Sequence, residues 1–378
     1  MHAREIKGVV MNNPRNPLKR EDAQQRYQAL QAWVLQQLAE QWPDTPISES
    51  NLQPLNSDAG FRVYYRLQDE ELTRYSRKLL AVDAPPATED TGQFVALAQY
   101  LRRYGVRTPM VFAADRKRGF LLVEDFGDAL LQDTLQSDSA TALYGEALLT
   151  LLTLQQAPDN PLLIPRYDQA LLRRELDIFR DWFVQHLLEY SLDAAEQVML
   201  ELLFSQLEAS ALEQPQVLVH RDYHSRNLLL CESGAMGVID FQGALWGPCT
   251  YDVVSLLRDC YLRWPAADVQ RWALGYGNMA MDCGILPEVD AKTYLRWFDW
   301  MGLQRHIKVL GIFARLSLRD EKQGYLTDLS RVMGYVLEVA DSYPEFADFA
   351  QWFRARLLPL AEQQAWYKPG DLSGGQPL

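Results

Sequence analysis

Apolar residues recur at helical spacing through Tyr27, Leu30, Val34, Leu38 and Trp42, and Pro43 and Pro46 stop the run. The spacing predicts a helix over 21–42. The pattern then shortens to strand-like runs at 61–67, 78–83, 111–113 and 119–123, separated by turn formers. One helical stripe lies among them, through Phe94, Leu97, Ala98 and Leu101. After Asp128 the periodicity is mostly helical, with stripes over 140–155, 169–189, 193–212, 251–261, 267–281, 294–318 and 326–339. Three short apolar runs interrupt it, at 217–219, 228–230 and 236–239. The chain is therefore expected to be α+β. A small sheet-rich N-terminal lobe with a leading helix spans 21–127, and a larger helical lobe spans 128–357. Residues 1–20 and 358–378 read as flexible tails, being rich in turn formers such as Asn12, Pro14 and Pro17, or Pro369, Gly370 and Pro377.

The three interrupting runs carry the chemistry. The first, Val217 to Val219, delivers His220, Arg221 and Asp222 to a loop, and Asn227 follows before the second run. Glu232, Ser233 and Gly234 supply turn chemistry, so the third run returns and brings Asp240 back toward Asn227. Phosphoryl transfer from a metal-bound nucleotide needs one carboxylate to take a hydroxyl proton. It also needs an amide oxygen and a second carboxylate to hold a hard cation. Asp222 is accordingly the candidate catalytic base, Asn227 and Asp240 the candidate Mg²⁺ ligands, and ATP the expected donor. Any one of these residues could be an ordinary surface or turn residue; the ordered set carries the expectation. His220 and Arg221 are expected to support the loop, and His224 to make a polar contact within it.

These residues resemble the catalytic region of the aminoglycoside phosphotransferase and choline kinase group. His224 stands two after the catalytic Asp, and Asp240 is followed by Phe241 and Gln242 rather than Phe-Gly. Gly247, Pro248, Tyr251 and Asp252 match the group downstream, where the residue matching Asp252 buttresses the catalytic loop. A narrower likeness, carried by 222–227, 246–261, Asp83 to Pro86 and 301–316, is to the kinases that phosphorylate N-acetylmuramate and N-acetylglucosamine at the anomeric hydroxyl. The resemblance covers about 55–353. It implies a protein-kinase-like two-lobe fold and a sugar 1-phosphate product that serves peptidoglycan recycling. Alternatives are a kinase of another small hydroxyl substrate (choline, an aminoglycoside, an amino alcohol) or a non-catalytic nucleotide-binding module.

The nucleotide lobe departs from the general kinase pattern. Ser57 and Gly60 lie where a loop would cover phosphates, and Glu124 and Phe126 where a hinge would meet adenine. The strand over 78–83 offers Lys78 only near its start, and the following helix has Glu89 before its first turn and no central Glu. Arg62 or Arg66, on the neighbouring strand, is the candidate replacement cation.

Composition narrows the rest. The 378 residues carry a formal net charge of −13, which disfavours a general nucleic-acid or anionic-membrane surface. No long apolar run suggests a membrane span or secretory signal. Cys231, Cys249, Cys260 and Cys283 form no C-x-x-C pair, so zinc is not expected and a reducing, cytoplasmic compartment is the simplest account; a monomer is expected. Arg258, Arg263, Arg305, His306 and Lys308 are the cations that would favour an anionic or neutral amide-bearing sugar over choline or an aminoglycoside.

Overall fold

The structure is a computed structural model describing residues 20–44, 51–55, 61–68 and 78–372. The chain forms two compact units, Met1–Ala129 with Leu229–Gln242, and Leu130–Leu228 with Gly243–Leu378.

In the first unit, α1 (Arg20–Gln41) precedes β1 (Leu52–Pro54), β2 (Val63–Leu67) and β3 (Leu79–Asp83). Then come α2 (Thr91–Arg103), β4 (Val111–Asp115) and β5 (Phe120–Glu124). The five strands make an antiparallel sheet in the order β1-β2-β3-β5-β4. Both central strands, β3 and β5, are apolar runs, as strands covered on both faces must be. The helical stripe of α1 supplies one cover: Leu30, Trp33, Val34 and Leu38 pack with Tyr65, Leu79, Ala81, Phe120 and Leu122. Arg26 of α1 also pairs with Asp83, the first residue of the Asp-Ala-Pro-Pro stretch. Asp90 caps α2, its carboxylate accepting from the Gln93 N–H at 3.0 Å.

The second unit is mostly helical, with α3 (Ala140–Gln155), α4 (Gln169–Ile178) and α5 (Ala194–Glu213) leading to β6 (Gln216–Val219). β7 (Leu228–Leu230) returns the chain to the first unit and pairs with β8 (Met236–Val238) through the turn at Gly234, as the sequence predicts. β9 (Leu245–Pro248) then pairs antiparallel with β6, Val219 opposite Leu245. Next come α6 (Tyr251–Leu257), α7 (Ala266–Asp282), the 30-residue α8 (Ala291–Asp320) and α9 (Leu329–Ser342). One large core gathers around α8, with Leu303, Ile307, Leu310 and Phe313 against Phe179, Phe183, Leu207 and Val336.

Several expectations are corrected. The helix expected over 169–189 is α4 continued by a π-helical segment, Phe179–Leu187. The widening begins where α8 comes closest: a Cβ on Gly311 would lie 2.5 Å from the Phe179 nitrogen. The helix expected over 251–261 ends at Leu257, because Asp259 and Tyr261 turn away to anchor a loop. β9 has no counterpart among the expected strands, because Gly247 and Pro248 carry little strand propensity of their own. Residues 358–372, read as tail, include helices Leu358–Ala361 and Pro369–Leu372. Trp366 and Leu372 pack on the core, and the Lys368 N–H donates to Ser330 Oγ at 2.8 Å. The tail expected over 1–20 falls, up to residue 19, outside the described residues.

Candidate active site

β6 ends at Val219 and hands the chain to a loop whose backbone is held at both ends. Arg221 has φ of 81°, a left-handed conformation that L side chains rarely adopt. The fully buried carboxylate of Asp252, in the first turn of α6, accepts the His220 N–H at 2.6 Å and the Arg221 N–H at 2.9 Å. Burial pushes the Asp252 carboxyl up to about 6, with His220 and the two N–H bonds opposing. At the far end, buried Asp259 accepts the Ser225 N–H at 3.0 Å and its hydroxyl at 2.5 Å. Tyr223, also buried, donates to the Ala147 carbonyl at 2.8 Å.

Between these anchors stand Asp222 and Asn227. Asn227 Nδ2 donates to the Asp222 carbonyl at 2.9 Å, so the amide bond that closes the loop leaves Oδ1 on the other side. That oxygen is the atom an oxygen-seeking cation needs. The Asp222 side chain is half-buried. Burial alone would raise its pKa, but Lys308, His224, Arg305 and Arg221 together hold it below the ordinary carboxylate value. His224 lies edge-on to Tyr261 at 5.4 Å, and burial lowers its pKa against the opposing pull of Asp259 and Asp222.

A buried ionic cluster supports this loop. Glu175 of α4 accepts from Arg221 Nη2 and Tyr167 Oη, and Lys308 Nζ lies 3.1 Å from it and 2.8 Å from Tyr251 Oη. Burial opposes the Glu175 charge, but Lys308 and Arg221 outweigh it and keep the carboxyl low. Sequence reading assigned Glu175 and Asp259 no role.

The other expected substrate cations are engaged. Arg258 pairs with Asp299 at 2.7 Å, and Arg263 with Glu338 at 2.6 Å. His306 Nε2–H donates to the Arg258 carbonyl, 3.0 Å away, and burial drives its pKa to about 3. Arg305 sits beside Cys260 Sγ at 3.5 Å, and its charge reaches Asp222.

The first unit holds the remaining candidates. Asp240 is exposed, with φ of 61°, and Gln242 donates to its Oδ1. Arg62 is buried, stands 2.8 Å from Glu89 and lies over the Phe94 ring. Burial raises the Tyr64 phenol, Arg62 lowers it, and Asp240 and Glu89 raise it, which places all four groups in one neighbourhood. Arg62 and Glu89 thus form a cation–carboxylate pair within the first unit. Arg66 is absorbed elsewhere, clasping Asp125 and Asp128. Lys78 pairs with Glu232. The Glu124 carboxylate is taken up by Arg107 and the Met110 N–H. Phe126 packs on Gly237, where a Cβ would come within 2.6 Å of its ring. Ser57 and Gly60 lie outside the described residues.

Residues 51–289 match the model of the phosphotransferase enzyme family. The chain is 39% identical over 330 residues to an N-acetylmuramate/N-acetylglucosamine kinase of Pseudomonas putida, covering 86% of this chain and 95% of that one. It is 40% identical to a Pseudomonas aeruginosa protein of the same name, with the same coverage. Among solved structures it resembles the ADP-bound aminoglycoside phosphotransferase APH(2'')-Ib, with a TM-score of 0.54, 13% identity and coverage of 82% of this chain and 98% of that one. It also resembles choline kinase LicA of Streptococcus pneumoniae, with a TM-score of 0.55, 12% identity and coverage of 82% and 99%. The expected fold, with a small antiparallel N-terminal sheet and a larger helical part in the protein-kinase-like manner, is the one found.

Proposed function

Because the chain belongs to the phosphotransferase enzyme family, we propose that it is an ATP-dependent kinase acting on the anomeric hydroxyl of N-acetylmuramate and N-acetylglucosamine. The observation that carries this reading is the likeness, at 39% and 40% identity, to relatives of that name along 95% of their length. The product is a sugar 1-phosphate destined for peptidoglycan recycling, in the cytoplasm, by a monomer.

Asp222, ionised at neutral pH, accepts the proton of the C1 hydroxyl. The sugar oxygen bonds to the γ-phosphorus as the bond to the β,γ-bridging oxygen breaks, and ADP departs. Asn227, through Oδ1, and Asp240, an exposed carboxylate, are the residues that would hold Mg²⁺. When bound, Mg²⁺ supplies charge neutralisation at the phosphate oxygens. Arg62, backed by Glu89, lends positive charge to the phosphates in place of the strand Lys; Arg66 does not, being committed to two carboxylates. Backbone groups at Ser57 and Gly60 take phosphate oxygens, and those of Glu124 and Phe126 take the adenine edge. Asp252, His220 and Arg221 keep Asp222 where the hydroxyl meets it.

Phosphorus NMR of the product from N-acetylmuramate and Mg-ATP tests the proposal. A phosphate on C1 is the expected result. Transfer to another hydroxyl, or transfer to choline or an aminoglycoside but to neither sugar, overturns it.

A further inference from the structure

Arg315 of α8 makes no ion pair among the described residues, where Arg258 and Arg263 each have a carboxylate. It is half-buried, its Nε is shielded from water, and that atom has no hydrogen-bond partner among the described residues. The influences on it are burial and the like charge of Arg319, and both disfavour its ionised form. A guanidinium stays ionised nonetheless. In a chain with 50 acidic and 37 basic residues, a guanidinium whose Nε is shielded and unpartnered is a standing cost to the fold. Its neighbours on the helix show the contrast: Lys308 has Glu175, Arg296 has Glu345 and Arg319 has Asp320.

The helix also gives it a position. Lys308, Ile312, Arg315 and Arg319 follow one another on a single face of α8. The face opens along its length: Lys308 is buried, Ile312 and Arg315 are half-buried, and Arg319 is exposed. At its inner end the charges of Lys308 and Arg305 act on Asp222. Arg315 comes two turns later, about 10 Å along the axis. Helical side chains lean toward the N-terminus, so Arg315 extends from its Cα back along this face toward Lys308.

We propose that Arg315 is the carboxylate subsite of this protein, pairing with the ether-linked acid of a sugar such as N-acetylmuramate while the anomeric hydroxyl meets Asp222. The inference rests on the sugar-kinase reading above and adds the residue that separates acidic from neutral substrates. The fork of a guanidinium matches a carboxylate bidentately, so the unpaired charge is satisfied only when an acidic sugar is bound. N-acetylglucosamine, lacking the acid, gains nothing from it.

Steady-state kinetics on both sugars, with Arg315→Met and Arg315→Lys, test this. In Arg315→Met the KM for N-acetylmuramate should rise about tenfold or more, with the KM for N-acetylglucosamine within about twofold of the unaltered protein. Arg315→Lys should restore part of the loss, and Arg315→Met should melt no lower than the unaltered protein, since it removes an unpaired, half-buried charge. An equal change for the two sugars, or none for either, overturns the subsite. If the unaltered protein phosphorylates neither sugar, the sugar-kinase reading falls separately. Calorimetric titration with N-acetylmuramate then decides the subsite: binding weakened in Arg315→Met upholds it, and no binding, or binding the variant leaves unchanged, overturns it.

Discussion

Replacing Asp252 by Ala should separate the stability of the fold from the geometry of its loop. The carboxylate accepts two backbone N–H groups, at 2.6 and 2.9 Å. Its loss strands both donors in a buried site, at about 1–3 kcal/mol each. An opposing effect is of similar size. Burial holds the carboxyl at about 6 rather than 3.8, so at pH 7 its ionised form is disfavoured by about 3 kcal/mol, and the Ala variant is free of that penalty. The net destabilisation at pH 7 should therefore be no more than about 3 kcal/mol. The pH dependence has a definite sign. The folded-state value lies above the unfolded one, so the stabilisation is complete below about pH 4 and is lost as pH rises through about 6. The gap between the unaltered protein and Asp252→Ala should then narrow by about 3 kcal/mol from pH 4 to pH 7. Turnover should respond more strongly. Arg221, at φ of 81°, loses the acceptor that fixes its backbone, and Asp222 is the next residue. A displacement of about 1 Å at the base is enough for a loss of about 10²-fold. Urea unfolding at both pH values, with turnover at pH 7, reads all of this. Near-normal turnover, or a gap that widens from pH 4 to pH 7, refutes the reasoning.

Lys308→Met removes the foremost of the cations that hold the Asp222 carboxyl low, so the acid limb of the pH–rate profile should move to higher pH, because a base is lost where it protonates. An unmoved limb would show that Lys308 serves Glu175 alone. Gly311→Ala places a Cβ 2.5 Å from the backbone at Ile178 and Phe179, which neither side can yield cheaply. It should destabilise the protein by about 1–3 kcal/mol or more, read as a lowered urea midpoint.

Much of this was legible because local pattern and tertiary role coincide. The stripe of α1 and the apolar runs of β3 and β5 report directly the faces they bury. Asp252 was legible through family resemblance, and its two N–H bonds supply the physical reason. Partnerships between distant residues were not legible. Glu175 and Lys308 stand far apart in sequence, and only packing of α4 on α8 makes them a pair. Glu89 was passed over because it precedes α2 instead of lying within it, yet it reaches Arg62. The same limit governs the substrate cations: Arg258, Arg263 and His306 look available in a sequence, and the fold gives each a partner. Arg315 looks no different from them until its surroundings are seen. The π-helical segment has no local signal, since its cause is the close approach of Gly311.

The central claim is that Asp222 takes the proton from an attacking sugar hydroxyl, and Asp222→Asn in single-turnover phosphoryl transfer tests it most directly. With ATP affinity measured alongside by calorimetry, the account predicts near-normal nucleotide binding and a transfer rate lower by about 10²–10⁴-fold. A variant that transfers phosphate to the sugar at close to the normal rate would contradict it.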